Sequence, residues 1–351
     1  MKSIAHIFLD TKFVYEVKYY ENEGVENKIF LLSKKSKEGY ININPKSDYI
    51  KFFKRELLKF DEVILYQLDN YKINLVNKIS HPNYVWRFFG TEIYSLFLED
   101  FISEKTKKAL AKEQTKPSFF QQLKTSLDYR IRKLIYNYDF NFLKAIKKIN
   151  VFLGLYRKEY DLISERYFLL PKFRKLNLTF HPRENLKKKE NTIILGNSRN
   201  TFNNHIDVLD IFNKVNLKDY KIIIPFNYGF INSYTKTVEE NISNNSSFEL
   251  LNKFVDYDIY MNYFANAKCY INNAYRQFGV GNIYIAIFSG CKIYLNEKNI
   301  CYHIYKKLGL LVFSIEQSFY NDLKNKELML TEEQMRYNIN QAKRTLFYLA
   351  S

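Results

Sequence analysis

The sequence predicts an α/β protein of two domains, each built on a parallel sheet. Two observations carry that prediction. Short apolar runs alternate with helical segments in both halves of the chain, and the second half holds two strand–loop–helix units with Gly and Asn in their turns. A length of 351 residues fits two domains. A hydrophobic fraction of 46% with ten Gly and six Pro excludes a disordered or low-complexity chain.

The elements follow in order. Ile4–Leu9, Lys28–Leu32, Glu62–Tyr66 and Tyr84–Phe88 read as buried strands, and Asp69–Ile79 and Thr91–Phe101 as helices. Val151–Gly154 is a further strand, followed by the amphipathic stretch Arg157–Tyr167. Leu170-Pro171-Lys172 reads as a linker. It divides the chain into domains at 1–172 and 173–351, the first with a basic helical insertion over 103–150. In the second half, strands are expected around Ile193 and at Lys221–Phe226, Lys268–Ile271, Lys292–Leu295 and Leu310–Phe313. The last helix spans Thr331–Leu349, with Thr331 and Gln334 spaced as a capping box.

The segment from Asn272 to Asn282 joins the Lys268–Ile271 strand to an apolar helix-like run, Ile283–Phe288. Gly279 and Gly281 let the backbone turn tightly, amides at a helix start attract anions, and Arg276 is a planar cation suited to phosphate. Two readings fit it: a diphosphate cradle, or a β–α turn with glycine for steric reasons. A second unit favours the cradle. Thr192–Leu195 is broken by Gly196-Asn197-Ser198, a polar loop runs to Asn204, and the helical spacing starts at His205. Asn204 is placed as the helix cap, with Asp207 in the first turn. Two such units suit a nucleotide-diphosphate site at the carboxyl ends of a parallel sheet.

The net charge is +17. Between Ser103 and Asn150, twelve Lys or Arg, among them Arg130, Arg132 and Lys133, face four acids, and seven aromatic residues are interleaved. Three readings are open for this stretch: an anionic membrane surface, a solvated helix face, or nucleic acid. Cys269, Cys291 and Cys301 have no metal-ligand spacing; Cys269 and Cys291 lie in apolar runs as small core residues, and the odd number fits a reducing cytoplasm. Ile4–Leu9 is too short, and interrupted by His6, for a signal peptide, and no run approaches the ~20 apolar residues of a spanning helix.

Several words of this sequence resemble the 4-alpha-L-fucosyltransferase family, the TDP-N-acetylfucosamine:lipid II N-acetylfucosaminyltransferases (glycosyltransferase family 56). They are Ile194-Leu195-Gly196-Asn197-Ser198, Asn203-Asn204-His205-Ile206, Pro225-Phe226-Asn227-Tyr228-Gly229 and Arg276-Gln277-Phe278-Gly279-Val280-Gly281-Asn282. His6 to Phe13 and Trp86 to Tyr94 look like the family's N-terminal elements, with Glu92 where Asp is common. The resemblance is weak between residues 100 and 170. It implies a GT-B architecture, two Rossmann-like domains facing across a cleft. It implies transfer of a 4-acetamido-4,6-dideoxy-hexose from a TDP-sugar to a polyprenyl-diphosphate-linked saccharide at the cytoplasmic face of a bacterial inner membrane. That favours the membrane reading of the basic stretch over nucleic acid, and no cofactor is expected beyond the donor substrate.

Such a reaction needs stabilisation of charge growing on the diphosphate. Asp256-Tyr257-Asp258 has a metal-site pattern, but Tyr260, Met261 and Tyr263 mark the start of a packing helix. Metal-independent transfer is therefore expected, with Arg276 and helix-start amides in place of a cation. Gln277 and Asn282 are placed against ribose or phosphate oxygens, and Asn197, Ser198 and His205 against the diphosphate or sugar. For His205 the alternative is a locally bonded helix-start histidine, and for Tyr228 a turn aromatic packed at the domain edge. Gly196, Asn203, Asn204, Gly279 and Gly281 complete the donor loops. On the acceptor side, Glu92 or Asp10 is the expected base, and Lys12 either pairs with Asp10 or binds the acceptor diphosphate. Both acids have a structural alternative as helix-start acids. A route without a protein base also stays open.

Overall fold

Seven strands form the first sheet: β1 (Lys2–Phe8), β2 (Val25–Leu32), β3 (Ile41–Ile43), β4 (Glu62–Tyr66), β5 (Tyr84–Arg87), β6 (Val151–Gly154) and β7 (Lys172–Lys175). The computed structural model describes residues 1–34, 36–112, 140–167, 169–176 and 183–350. All neighbouring strands run parallel, in the order β3-β2-β1-β4-β5-β6-β7. β4 and β5 are buried at every residue, as parallel strands covered on both faces must be. Ile4, Phe8, Leu31, Ile64, Val85 and Leu153 pack into one core cluster. Trp86 meets Phe88, Phe142 and Phe152 edge-on. His6 is a buried core residue, and burial lowers its pKa to about 4.

The second sheet holds β8 (Thr192–Leu195), β9 (Lys221–Pro225), β10 (Phe248–Leu251), β11 (Ala267–Asn272), β12 (Lys292–Leu295) and β13 (Val312–Ser314), again all parallel, in the order β10-β9-β8-β11-β12-β13. The two orders share one logic. The chain runs outward from β1 to β3, then returns to pair β4 with β1; likewise it runs from β8 to β10 and returns to pair β11 with β8. The points between β1 and β4 and between β8 and β11 are topological switch points, where loops diverge and leave a crevice at the carboxyl edge. The expected Thr331–Gln334 capping box forms: Thr331 N donates to Gln334 Oε1 at 3.0 Å and Gln334 N to Thr331 Oγ1 at 3.2 Å. It opens the helix Glu332–Ala350.

Three expectations change. Thr91–Phe101 is not one helix but a turn of helix, Thr91–Tyr94, and a separate turn, Leu98–Asp100, because the chain bends to bury Ile93, Tyr94, Phe97 and Phe101. Lys172 does not lie in a linker: it starts β7, which pairs with β6 from Val151↔Lys172 to Gly154↔Lys175. The division at 172 and the assignment of 103–150 to the first domain also shift. The chain separates into one unit of Met1–Phe97, Gln122–Thr179 and Leu349–Ser351, and a second of Leu98–Gln121 and Phe180–Tyr348.

The early part of the basic stretch belongs to the second unit by packing. Helix Glu104–Ala111 lies on helices His205–Phe212 and Ser233–Ile242, with Ala109 inside the second core. Lys105 pairs with Asp210 and Lys107 with Glu104. The far end, helix Phe140–Lys148, packs in the first unit against helix Asn70–Lys78, with Phe142 in the core and Lys148 Nζ donating to the Asn77 carbonyl at 2.7 Å. These flanks are spent on folding. Arg130, Arg132 and Lys133 lie outside the described residues.

Candidate active site

The loops after β8 and β11 leave the second sheet on adjacent strands, and the sequence-derived donor residues converge there. Gly196 follows β8 in the left-handed region, φ +72°. A Cβ there would stand 2.5 Å from His205 Nε2, so both conformation and space demand glycine. Asn203 holds the loop closed from inside: its Nδ2 donates to the Ser198 carbonyl at 2.7 Å, and its Oδ1 accepts from Asn197 N at 3.3 Å. Asn204 occupies the cap position of helix His205–Phe212 but does not cap it with its side chain. Its backbone is left-handed, φ 47°, which swings the side chain away from the first-turn amides. Asn204 Oδ1 accepts from Ser103 N at 2.8 Å instead. Its Nδ2 donates to the Asn273 carbonyl at 3.2 Å, and Asn273 Nδ2 returns a bond to the Asn204 carbonyl at 3.0 Å. Asn296, just past β12, donates to Asn273 Oδ1 at 2.8 Å. Buried asparagines thus stitch three successive loops of the carboxyl edge into one rigid floor.

His205 is fully buried. Its backbone N donates to Tyr234 OH at 2.9 Å, and Nδ1 lies 2.8 Å from the same hydroxyl. Burial lowers its pKa to about 3, so the ring is neutral. Of the two readings of His205, the structure shows the locally bonded helix-start residue, supporting the Gly196 turn from below.

The second loop faces the first. Gly279, φ +64°, caps helix Val280–Phe288, whose first backbone bond runs from Ile283 N to the Gly279 carbonyl at 3.1 Å. The amides of Val280, Gly281 and Asn282 precede that bond at the positive end of the helix. Gly281 is exposed, and a Cβ there would meet nothing within 4 Å. A Cβ on Gly279 would stand 3.1 Å from Asn197 Nδ2, so the two loops touch at this point. Arg276 is 3% exposed. Its guanidinium lies 4.2 Å from the centroid of Phe202 and 4.5 Å from that of Phe278, two rings that meet edge-on around it, and Nη1 donates to the Gln277 carbonyl at 2.8 Å. Asn282 Nδ2 donates to Tyr260 OH at 2.7 Å, which ties the helix start to helix Tyr257–Asn266. The Asp256-Tyr257-Asp258 word opens that packing helix, as expected. Tyr228 reaches over from the loop after β9, with its OH accepting from Asn197 Nδ2 at 3.4 Å. Among the described residues no group of three or more His, Cys, Asp or Glu is arranged to hold a metal ion.

In the first unit, the loops after β1, β4 and β5 carry the acceptor-side candidates. Asp10 is exposed, and its Oδ1 accepts from Lys12 N at 2.9 Å. Burial lowers the Lys12 pKa from its ordinary value, against the charge of Asp10. Glu92 Oε1 accepts from Trp86 Nε1 and from Phe89 N, both at 3.1 Å. Burial pushes its carboxyl above the ordinary value, and those donors oppose the rise. The sequence reading missed Lys72. Its side chain is fully buried and paired with Asp69, the residue that caps helix Asn70–Lys78. Burial lowers its pKa, while the charges of Asp69, Glu92 and Asp10 all favour its protonated form. One ammonium group therefore sits in the field of three carboxylates at the first switch point. Phe202, Phe278, Tyr234 and Asn296 were missed as well. The two phenylalanines stand in or beside the quoted words, but Tyr234 and Asn296 find their partners 29 and 23 residues away, where no local spacing reveals them.

The sequence model of the family described as 4-alpha-L-fucosyltransferase, glycosyl transferase group 56, matches residues 119–350. The chain belongs to this family. As a group 56 glycosyltransferase it carries all its matched loops in that span, whereas the N-terminal words around Asp10 and Glu92 lie outside it. No curated protein matches the chain. Solved structures match its fold at low identity. WaaG, a glycosyltransferase involved in lipopolysaccharide biosynthesis, is 13% identical with a TM-score of 0.57, over 100% of this chain and 95% of its own. Anabaena HepE, in complex with UDP and glucose, is 10% identical with a TM-score of 0.63, over 100% and 97%. A glycosyltransferase from Rickettsia africae is 12% identical with a TM-score of 0.61, over 100% and 94%. The group 56 enzyme thus has the two parallel-sheet domains of GT-B glycosyltransferases.

Proposed function

We propose that this glycosyltransferase moves a 4-acetamido-4,6-dideoxy-hexose from a TDP-sugar to a polyprenyl-diphosphate-linked saccharide, in bacterial surface polysaccharide synthesis at the cytoplasmic face of the inner membrane. The observation that carries the donor half is the pair of loops at the second switch point: the start of a nine-residue helix, an exposed Gly281 and Arg276 resting against two rings. A growing diphosphate anion is stabilised there by fixed amide dipoles and a fixed cation, so the proposed transfer needs no metal ion. HepE was solved with UDP, which supports a nucleoside diphosphate as the ligand class for this fold. The acceptor half rests on the family, and the first unit is its proposed place, with Glu92 or Asp10 as base and Lys12 near the acceptor diphosphate. Calorimetric titration with TDP, UDP and GDP tests the donor. TDP should bind at least tenfold tighter than the other two; a preference for UDP or GDP assigns a different nucleotide sugar, and no binding of any rejects the reading.

Membrane contact is proposed for the basic stretch. No described helix is long and apolar enough to cross a membrane. Arg130, Arg132 and Lys133 lie within the net-positive segment, and near an anionic surface each contributes ~1 kcal/mol. Replacing all three with Ala should lower affinity for phosphatidylserine-containing vesicles by roughly a hundredfold, the product of three such contributions. Transfer to a short soluble acceptor should be spared. Equal binding of wild-type protein to neutral and anionic vesicles in a sedimentation assay rejects this placement.

A further inference from the structure

The loop after β10 presents a ring that the core does not use. Phe254 is 76% exposed, although it stands at the carboxyl edge of a parallel sheet, where ligands of such folds bind. Its neighbour in space is Tyr228, from the loop after β9. The two rings are nearly parallel, 12° apart in tilt, with centroids 6.3 Å apart. Tyr228 also belongs to the cradle: its OH accepts from Asn197 Nδ2, and that amide nitrogen lies 3.1 Å from the Cβ position of Gly279. Arg276 is near enough for its charge to oppose the upward push that burial gives the Tyr228 hydroxyl. A continuous path therefore runs from the start of helix Val280–Phe288 through Asn197 and Tyr228 to the exposed face of Phe254.

The chemistry changes along that path. Amides and a guanidinium lie at one end and a flat apolar face at the other. A nucleoside diphosphate has the same polarity, with an anionic diphosphate at one end and a planar heteroaromatic base at the other. We infer that Phe254, backed by Tyr228, is the platform on which the nucleobase of the donor stacks. The inference rests on the nucleotide-sugar reading and adds to it a subsite and a residue. A π-face accepts any base, so the platform detects that a base is present and leaves its identity to hydrogen bonds elsewhere.

The test compares ligands that carry the base with one that does not. The probes are TDP, TDP-glucose and inorganic pyrophosphate, with calorimetry for the nucleotides and thermal shift for pyrophosphate. Phe254→Ala should weaken TDP roughly tenfold to a hundredfold, the range of one base–aromatic stack. It should leave the pyrophosphate shift unchanged, and Phe254→Trp should restore TDP affinity. Arg276→Ala should weaken TDP and pyrophosphate alike. Native TDP affinity in Phe254→Ala, with affinity lost in Arg276→Ala, overturns the platform and leaves the cradle standing. Weakened TDP-glucose with unchanged TDP means that the ring carries the sugar, and overturns the inference as well. Failure of the wild-type protein to bind any nucleoside diphosphate overturns both the platform and the function it rests on.

Discussion

Glu92→Gln should slow sugar transfer by ~10²–10⁴, the usual loss when a general base is removed, while donor affinity and fold should persist. Between Glu92 and Asp10, we propose Glu92 as the base. Asp10 is exposed and holds the Lys12 amide, an ordinary turn contact. Glu92 is fixed by two N–H donors, and burial raises its pKa above the ordinary carboxylate value. A carboxylate with a raised pKa takes a proton from an acceptor hydroxyl more readily near neutral pH. The sign follows directly. The base acts when ionised, so transfer is full above the raised pKa and falls as pH drops through it. The acid limb of kcat/KM in the wild-type enzyme should therefore lie above the ordinary carboxylate range and vanish in Glu92→Gln. The glutamine keeps an oxygen for Trp86 and Phe89, so thermal unfolding should change little. Asp10→Asn should leave the limb in place. Native turnover in Glu92→Gln with loss in Asp10→Asn transfers the role to Asp10; native turnover in both favours a base-free route.

Arg276→Ala should weaken TDP binding by ~1.5–3 kcal/mol, the value of a hydrogen bond to a charged group. The guanidinium rests against Phe202 and Phe278 and is tethered to the Gln277 carbonyl before any ligand arrives. Its position costs no ordering on binding, which favours a large effect. Arg276→Lys should not restore affinity, because an ammonium has neither the flat face that rests on aromatic rings nor the guanidinium fork. Unchanged affinity in both variants, measured by titration calorimetry, rejects the cation's role and leaves the helix-start amides as the anion site.

The sequence by itself determined the fold class, the interior strands and the two glycine–asparagine loops after β8 and β11. β1, β4, β5, β8, β11 and β12 are signalled by continuous apolar runs, because a parallel strand inside a sheet is buried on both faces and each residue must suit the core. These loops are legible because glycine and asparagine are demanded locally, as at Gly196 and Gly279. Only the tertiary structure decided the rest. β3, β7 and β10, the strands that escaped the sequence reading, are all edge strands. An edge strand is short and half-solvated and carries polar residues, as Lys172-Phe173-Arg174-Lys175 does, so its pattern resembles a loop. The compact units differ from a division at 172 for the same kind of reason: Leu98–Lys112 follows the first unit in sequence but buries Ala109 in the core of the second. The contact of His205 with Tyr234, and its place against the Gly196 turn, were not legible. Asn204 looked like a cap and became a cross-loop tie, and Lys72 gave no signal in the sequence at all. Each depends on a partner brought close by the strand order, and spacing along the chain carries no record of that order.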